Sequence, residues 1–455
     1  MKQLFLLAFI FSSQLFSQQQ QSLALQNARH SETWVRNGIM YEIYPRAFSK
    51  EGNFAGIEKR LPELQQLGVT ILWLMPIHPV GVEKRKGSLG SSYSIQDYYG
   101  INPEYGTLAD FKKLVKRAHE LKFKIVIDLV ANHTSWDSKM IHEHPEWFST
   151  DSIGKIISPV PDWSDVADLN YSNKDLRTYM IAMMKYWVRD IGIDGFRCDV
   201  AEMVPTDFWN DARAALDSIK PVMMLAEGQY PEQHLKAFDL SYSWNLYSIL
   251  APLMKGEKNV FELDSLLNKE NATFPNGSLR LRFSSNHDEN AWDAPDVEKF
   301  GADGAKLAAV VVNTLPGVPL LYNGQEVANA AKLGLFEKFD IDWKAKNDFR
   351  NFYTKLFDLR KKYRALSVGE LIRFHSTNGD RVFAFLRQAG KERLLVVYNF
   401  SDKEIETDID LSSITKAIKV TDVLTKTWMT LHETKEPRVL SLTLPQFGFN
   451  IFSIE

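Results

Sequence analysis

The chain has 455 residues, 45% hydrophobic and 24% charged, with a formal net charge of −3. That is a globular composition with length for a large core and a smaller second domain. Its weak net charge gives no footing for nucleic acid or an anionic membrane as partner, and a single cysteine, Cys198, excludes an internal disulfide.

At the N-terminus Lys2 precedes an apolar run from Leu4 to Phe11, and small and polar residues follow. The run is too short to cross a bilayer and reads as a secretory signal peptide over residues 1–17, cleaved near Ser17. No cysteine follows it, so a lipid anchor is not indicated. The expected location is the periplasm or the exterior, and no later segment reads as a membrane span.

After residue 35, strand-like apolar runs alternate with helical patterns. The runs cover 39–48, 70–77, 124–130, 193–200, 222–228, 238–244, 279–287 and 319–326. Between them, Leu108, Phe111, Leu114, Val115, Ala118 and Leu121 recur at helical spacing. Residues 173–192 form a long helical stretch opened by an Asn173 cap, and 347–366 form another. Eight strands alternating with helices predict a closed (β/α)8 barrel, a TIM barrel, over 35–367, with its site at the C-terminal strand ends. An open doubly wound sheet is the alternative, but no GxGxxG follows the first strand. Residues 134–170, rich in Trp, Pro, Asp and Ser, form an excursion after the third strand, too long for a simple loop. From 368 to 455 short strands (381–388, 393–400, 404–411, 417–424, 439–446, 449–455) predict a C-terminal antiparallel β-sandwich.

Four runs end in charged or imidazole side chains: DLVANH (128–133), GFRCDVAE (195–202), LAEGQ (225–229) and SSNHDEN (284–290). Strands ending in Asp, Glu and His are costly to fold unless those groups are used. Three carboxyl groups, on Asp199, Glu227 and Asp288, stand at the centre of the predicted site. Arg197 and Asp199 share one face of their strand, so Cys198 points the other way into packing.

In this order the four segments resemble the signature regions of the α-amylase family, glycoside hydrolase family 13. Residues 56–77 resemble the family's first helix and second strand, and 91–107 its tyrosine-bearing loop. Residues 166–171 (VADLNY) resemble the motif closing its excursion, and 317–326 its last strand. The resemblance runs from about residue 35 to the C-terminus and implies retaining cleavage of α-glucosidic bonds, mainly α-1,4, in starch-like glucans or maltooligosaccharides. Such cleavage needs an acid for the leaving oxygen and an anion near the anomeric carbon. The resemblance assigns Asp199 as nucleophile, which Arg197 is expected to keep ionised. It assigns Glu227 as acid/base, expected to have a raised pKa, and Asp288 as transition-state stabiliser. It makes His133 and His287 donors to the sugar at the cleavage point and Tyr93 its stacking partner. Asp128 is expected to be a structural partner rather than a catalyst. No cofactor is required for this chemistry.

Two positions depart from the pattern. Where many α-amylases carry a Lys-His pair serving a subsite and a calcium ion, this chain has Glu202 and Met203, and Met is a poor ligand for a hard cation. Asn132 matches a calcium-ligand position and Asp162 or Asp165 would assist, so the resemblance leaves room for a structural calcium. Val200 follows the nucleophile where strict α-1,4 hydrolases often have Thr, as in members acting on short, cyclic or branched glucans. The alternatives are a transglycosylase with the same triad, an α-1,6- or cyclodextrin-active hydrolase, a non-catalytic carbohydrate-binding barrel, and a metal-dependent hydrolase with His133, His287 and Asp199 as ligands.

Overall fold

The computed structural model describes residues 22–414, 418–431 and 438–455; the expected signal peptide at 1–17 lies outside them. Strands β1 (Met40–Ile43), β2 (Ile71–Leu74) and β3 (Lys124–Leu129) open a barrel. A short antiparallel pair follows, β4 (His133–Ser135) with β5 (Val166–Asp168). The barrel then continues through β6 (Gly195–Cys198), β7 (Met223–Ala226), β8 (Leu240–Tyr242), β9 (Leu279–Arg282) and β10 (Val318–Tyr322). The eight barrel strands close in the order β1-β10-β9-β8-β7-β6-β3-β2, and every neighbouring pair is parallel.

The two-residue alternation of a strand sorts the side chains. Met40, Ile71, Trp73, Val126, Met223, Leu225, Leu240, Leu281 and Leu320 fill the barrel interior. Tyr41, Leu72, Ile125, Ile127, Phe196, Met224 and Ala226 pack outward under the helices, and so does Cys198, as expected. Burial pushes its thiol pKa up, so it is an inert core residue. Gly195 is required by close approach: a Cβ there would overlap the Met223 carbonyl oxygen.

The helix Leu108–Glu120 starts at a reciprocal Thr107–Asp110 capping box. Asn173 caps Lys174–Tyr186 by accepting from the Asp175 and Leu176 N–H groups, as its sequence position predicts. One boundary differs. The seventh barrel strand ends at Arg282 rather than 287, and His287–Trp292 begins a short helix capped by the Asn286 side chain. Asp288 therefore sits on the first turn of a helix, not on a strand.

The C-terminal region holds a six-stranded antiparallel sheet and a separate pair. Its strands are β11 (Glu370–Phe374), β12 (Val382–Ala389), β13 (Glu392–Asn399), β14 (Ile405–Asp410), β15 (Ile418–Asp422), β16 (Trp428–Leu431), β17 (Val439–Leu444) and β18 (Phe449–Ile454). The larger sheet runs β11-β12-β13-β18-β15-β16, and β14 pairs with β17. Val382, Ala384, Leu395 and Val397 of the larger sheet share a core with Ile409, Leu440 and Leu444 of the pair, which makes a sandwich. Sequence reading missed β11 and β16. Both are edge strands with exposed positions, so neither shows a clear apolar alternation. No helix among the described residues is long and apolar enough to cross a membrane.

Candidate active site

Above the apolar layer the barrel interior turns polar. Glu42 of β1, Asp128 of β3 and Arg197 of β6 are fully buried at the C-terminal end. Arg197 is the hub. Its Nη1 donates to Asp128 Oδ1 at 2.9 Å and to Asp199 Oδ1 at 2.8 Å, and its Nε donates to the Tyr242 hydroxyl at 3.2 Å. Nη2 lies 2.7 Å from Glu227 Oε1, as an ion pair without the alignment of a hydrogen bond. One cation thus touches three carboxylates, the arrangement a buried charge needs.

Asp199 and Glu227 sit just past the ends of β6 and β7 and face each other across this guanidinium. The peptide between them is unusual: Val200 has φ 36° and ψ 49°, a left-handed conformation rare for a β-branched residue. That turn aims the Val200 N–H at Glu227 Oε2, 2.7 Å away. Glu202, on the following turn, accepts from the Gln229 N–H, and Gly228 leaves room for its side chain. Glu202 therefore fastens the loop after β7 to the loop after β6.

Burial raises the pKa of Asp199 to about 6, with Asp128 and Asp288 adding to the shift and Arg197 opposing it. This corrects the expectation that Arg197 holds Asp199 low: desolvation outweighs the guanidinium. Burial also raises Glu227, to about 7, with Asp199 and Asp288 adding and Arg197 and the Val200 N–H opposing. Glu227 thus keeps its proton to higher pH than Asp199. Asp128, raised to about 6 chiefly by burial, accepts from Trp73 Nε1 at 3.2 Å and from the Tyr93 hydroxyl at 3.0 Å, the structural role expected of it.

The other predicted residues converge on the same cavity, which measures about 360 Å³ and is lined by Tyr93, His133, Asp199, Glu227, His287 and Asp288 among others. The Tyr93 ring stacks on His287 at 5.2 Å and 15°. Burial opposes a charged His287, but Asp288 (3.3 Å) and Glu42 (2.5 Å) override it and push its pKa up to about 9. His133 goes the other way: burial pulls it down to about 4, so it is neutral at ordinary pH. Its ring meets Trp163 edge-on at 5.4 Å.

The calcium-related residues do not form a cation site. Asn132 is buried, with its Nδ2 3.4 Å from His133 Nδ1. Lys86 Nζ sits 2.8 Å from Asp165 Oδ1 and 2.9 Å from the Asp162 carbonyl oxygen, so an ammonium already answers those acceptors. Among the described residues no three His, Cys, Asp or Glu side chains gather as a metal cage. The metal-hydrolase arrangement fails on the same ground: both His287 nitrogens are engaged, Nδ1 with Glu42 and Nε2 with Tyr93.

Sequence reading missed several lining residues, Lys86, Trp163, Trp292 and Phe336, and had considered Asp165 only beside a calcium ion. Lys86, Trp163 and Phe336 lie in irregular segments, where side-chain direction follows no period, and Trp292 ends the short helix after β9 whose start sequence reading took for strand. It also missed Glu42, whose signal was available as the lone carboxylate in an apolar strand.

Comparison with known proteins agrees with this architecture. The α-amylase catalytic-domain model matches residues 26–152 and 161–361, and the maltogenic amylase C-terminal-domain model matches 372–451. The chain is similar to the crystal structure of a noncanonic maltogenic α-amylase, AmyB, from Thermotoga neapolitana. The two are 36% identical with a TM-score of 0.85, over 92% of this chain and 99% of that one. An α-amylase from Lactobacillus plantarum gives 32% identity and a TM-score of 0.80 over 93% and 100%. Alpha-amylase 3 of Dictyoglomus thermophilum is 27% identical, over 87% of this chain and 90% of its own length.

Proposed function

The chain belongs to the α-amylase family of glycoside hydrolases, and on that premise we propose that it hydrolyses α-glucosidic bonds with retention, through a covalent glycosyl-enzyme intermediate. Asp199 attacks the anomeric carbon as the carboxylate. Glu227 delivers its proton to the leaving oxygen, then removes one from the attacking water. The observation that carries this reading is the Arg197 bridge between the two acids, reinforced by the Val200 N–H on Glu227. Such a tie supports the short carboxyl separation of ~5–5.5 Å that retention uses. The higher pKa of Glu227 suits the acid, and the lower one of Asp199 suits the nucleophile.

Asp288, partly exposed on the cavity wall, takes sugar hydroxyls and favours the distorted ring. His133, neutral, donates to a hydroxyl beside it, and Tyr93 offers its ring to the pyranose; charged His287 reaches the sugar only where a hydroxyl displaces Tyr93 from its Nε2, and otherwise braces that ring. Short maltooligosaccharides or cyclodextrins are the favoured substrates: the cavity is compact, Val200 follows the nucleophile, and AmyB is described as maltogenic. One observation favours transglycosylation as a second activity. Trp292, exposed at 64%, pairs with Phe336 at 6.0 Å on the cavity wall and gives an acceptor sugar an aromatic platform.

The apolar run Leu4–Phe11 supports export to the periplasm or medium, and mass spectrometry of the exported protein would show a mature N-terminus near residue 18. The catalytic assignment is tested with Asp199→Asn, which should keep the fold and lose turnover of maltoheptaose; near-normal turnover would overturn it. Product profiles on maltoheptaose, pullulan and a cyclodextrin decide the substrate.

A further inference from the structure

Away from the catalytic cavity and sharing no lining residue with it, a second cleft of about 870 Å³ opens between β9 and the C-terminal sheet. Five guanidinium groups line it, those of Arg36, Arg280, Arg282, Arg373 and Arg387, against the carboxylates of Asp264, Glu270 and Glu370. Two of the acids are already taken. Glu270 is paired with Arg282 at 2.6 Å and Arg280 at 3.4 Å, and Asp264 with Arg373 at 2.8 Å.

Arg36 and Arg387 are left without a paired carboxylate among the described residues, and Arg387 is the buried one of the two. It is completely buried, and among the described residues no carboxylate lies within ion-pair distance of it. Its Nη1 donates to the Thr314 carbonyl at 2.6 Å and its Nη2 to the Gly369 carbonyl at 2.9 Å, but its Nε–H has no partner. The Ser278 hydroxyl, on the barrel wall of the same cleft, is also buried without a partner. Behind them Arg360 is buried and bonded only to the carbonyls of Asn313, Leu366 and Gly317. Burial, with the charge of Arg282 adding to it, draws the Arg387 pKa down to about 10, which leaves it a cation at neutral pH.

A buried cation without a counter-ion is costly, and an orphaned N–H in a polar cleft asks for a ligand. Guanidinium donors match the oxygens of a phosphate, and the cleft carries an excess of positive charge. We propose that this cleft binds a phosphate-type oxyanion, held by Arg387 and Ser278 where barrel and β-sandwich meet. A bound anion there contacts both domains at once and stabilises their junction.

The test is calorimetric titration of the full chain with inorganic phosphate at constant ionic strength, chloride serving as control. A second arm uses glucose 1-phosphate. Saturable phosphate binding with a rise in Tm is expected, undisturbed by saturating maltotriose. Arg387→Met should weaken it by at least about tenfold. Should that variant not fold, Ser278→Ala and Arg36→Gln serve instead, each expected to raise the Kd. Binding in either arm with this dependence supports the site, and the better ligand tells free phosphate from a phosphorylated sugar. No binding, equal binding in the variants, or displacement by maltotriose overturns it.

Discussion

Removing the central cation is the most demanding test of the catalytic geometry. Arg197→Met keeps much of the side chain's length but leaves Asp128, Asp199 and Glu227 without their shared counter-charge. A unit charge pair about 4 Å apart is worth roughly 4 kcal/mol at an effective dielectric of about 20, and a neighbouring Arg lowers an Asp pKa by about 1–3 units. Asp199, now near 6, should therefore rise well above that value, and Glu227, which Arg197 also holds down, should rise with it. For a rise of two to three units, the ionised fraction of Asp199 at pH 6.5 drops roughly 25- to 250-fold. The assay is kcat/KM on maltoheptaose against pH, with folding checked by circular dichroism and Tm. The acidic limb should move up by about two units, and kcat/KM at pH 6.5 should fall by at least about 25-fold. Stability should drop by about 3–5 kcal/mol, the usual cost of orphaning a buried ion pair. A folded variant whose acidic limb stays near pH 6 would refute the argument that Arg197 sets the protonation of the nucleophile.

Three further outcomes are expected. The native kcat/KM profile should be a narrow bell. It falls below about pH 6 as Asp199 takes up a proton and above about pH 7 as Glu227 loses one; a flat profile from pH 4 to 9 would contradict it. Lys86→Met, which unties Asp165 and the Asp162 carbonyl, should raise KM by roughly three- to tenfold with kcat little changed, because Trp163 loses its mooring beside His133. Its cost in stability should stay under about 1 kcal/mol since Lys86 is partly exposed, Lys86→Arg should restore KM, and unchanged kinetics on maltotriose would dismiss the role. Glu42→Gln removes the carboxylate facing His287, whose folded pKa of about 9 stands above its ordinary value of 6.5. A group raised in this way stabilises fully below pH 6.5 and loses that contribution as pH climbs through 9. Urea unfolding should show a loss of about 2–4 kcal/mol at pH 6.5 that shrinks by pH 9.5; a pH-independent loss would mean the pair is not ionic.

The eight barrel strands were legible because each is a short run made largely of apolar residues, buried on both faces, and amphipathic helices, some with readable caps, lie between many of them. The three acids were legible because each follows such a run, where a charge is out of place unless it is used, and because the motifs carry a family pattern. Strand edges were less legible: β11 and β16 lie at sheet borders, and the apolar run through Phe283 continues past the last ladder bond of β9.

Chain pattern alone settled where most strands and helices lie and that they alternate as a barrel does, since apolar runs and helical spacing are local properties of the sequence. Tertiary structure decided the chemistry of the groups it brought together. One Arg serving three acids, Asp199 raised rather than lowered in pKa, a His pushed up at 287 and another pulled down at 133, and a lysine on the acceptors that left room for calcium all depend on distances between residues remote in sequence. Desolvation and Coulomb energy follow burial and separation in space, and neither quantity is written in the order of the residues.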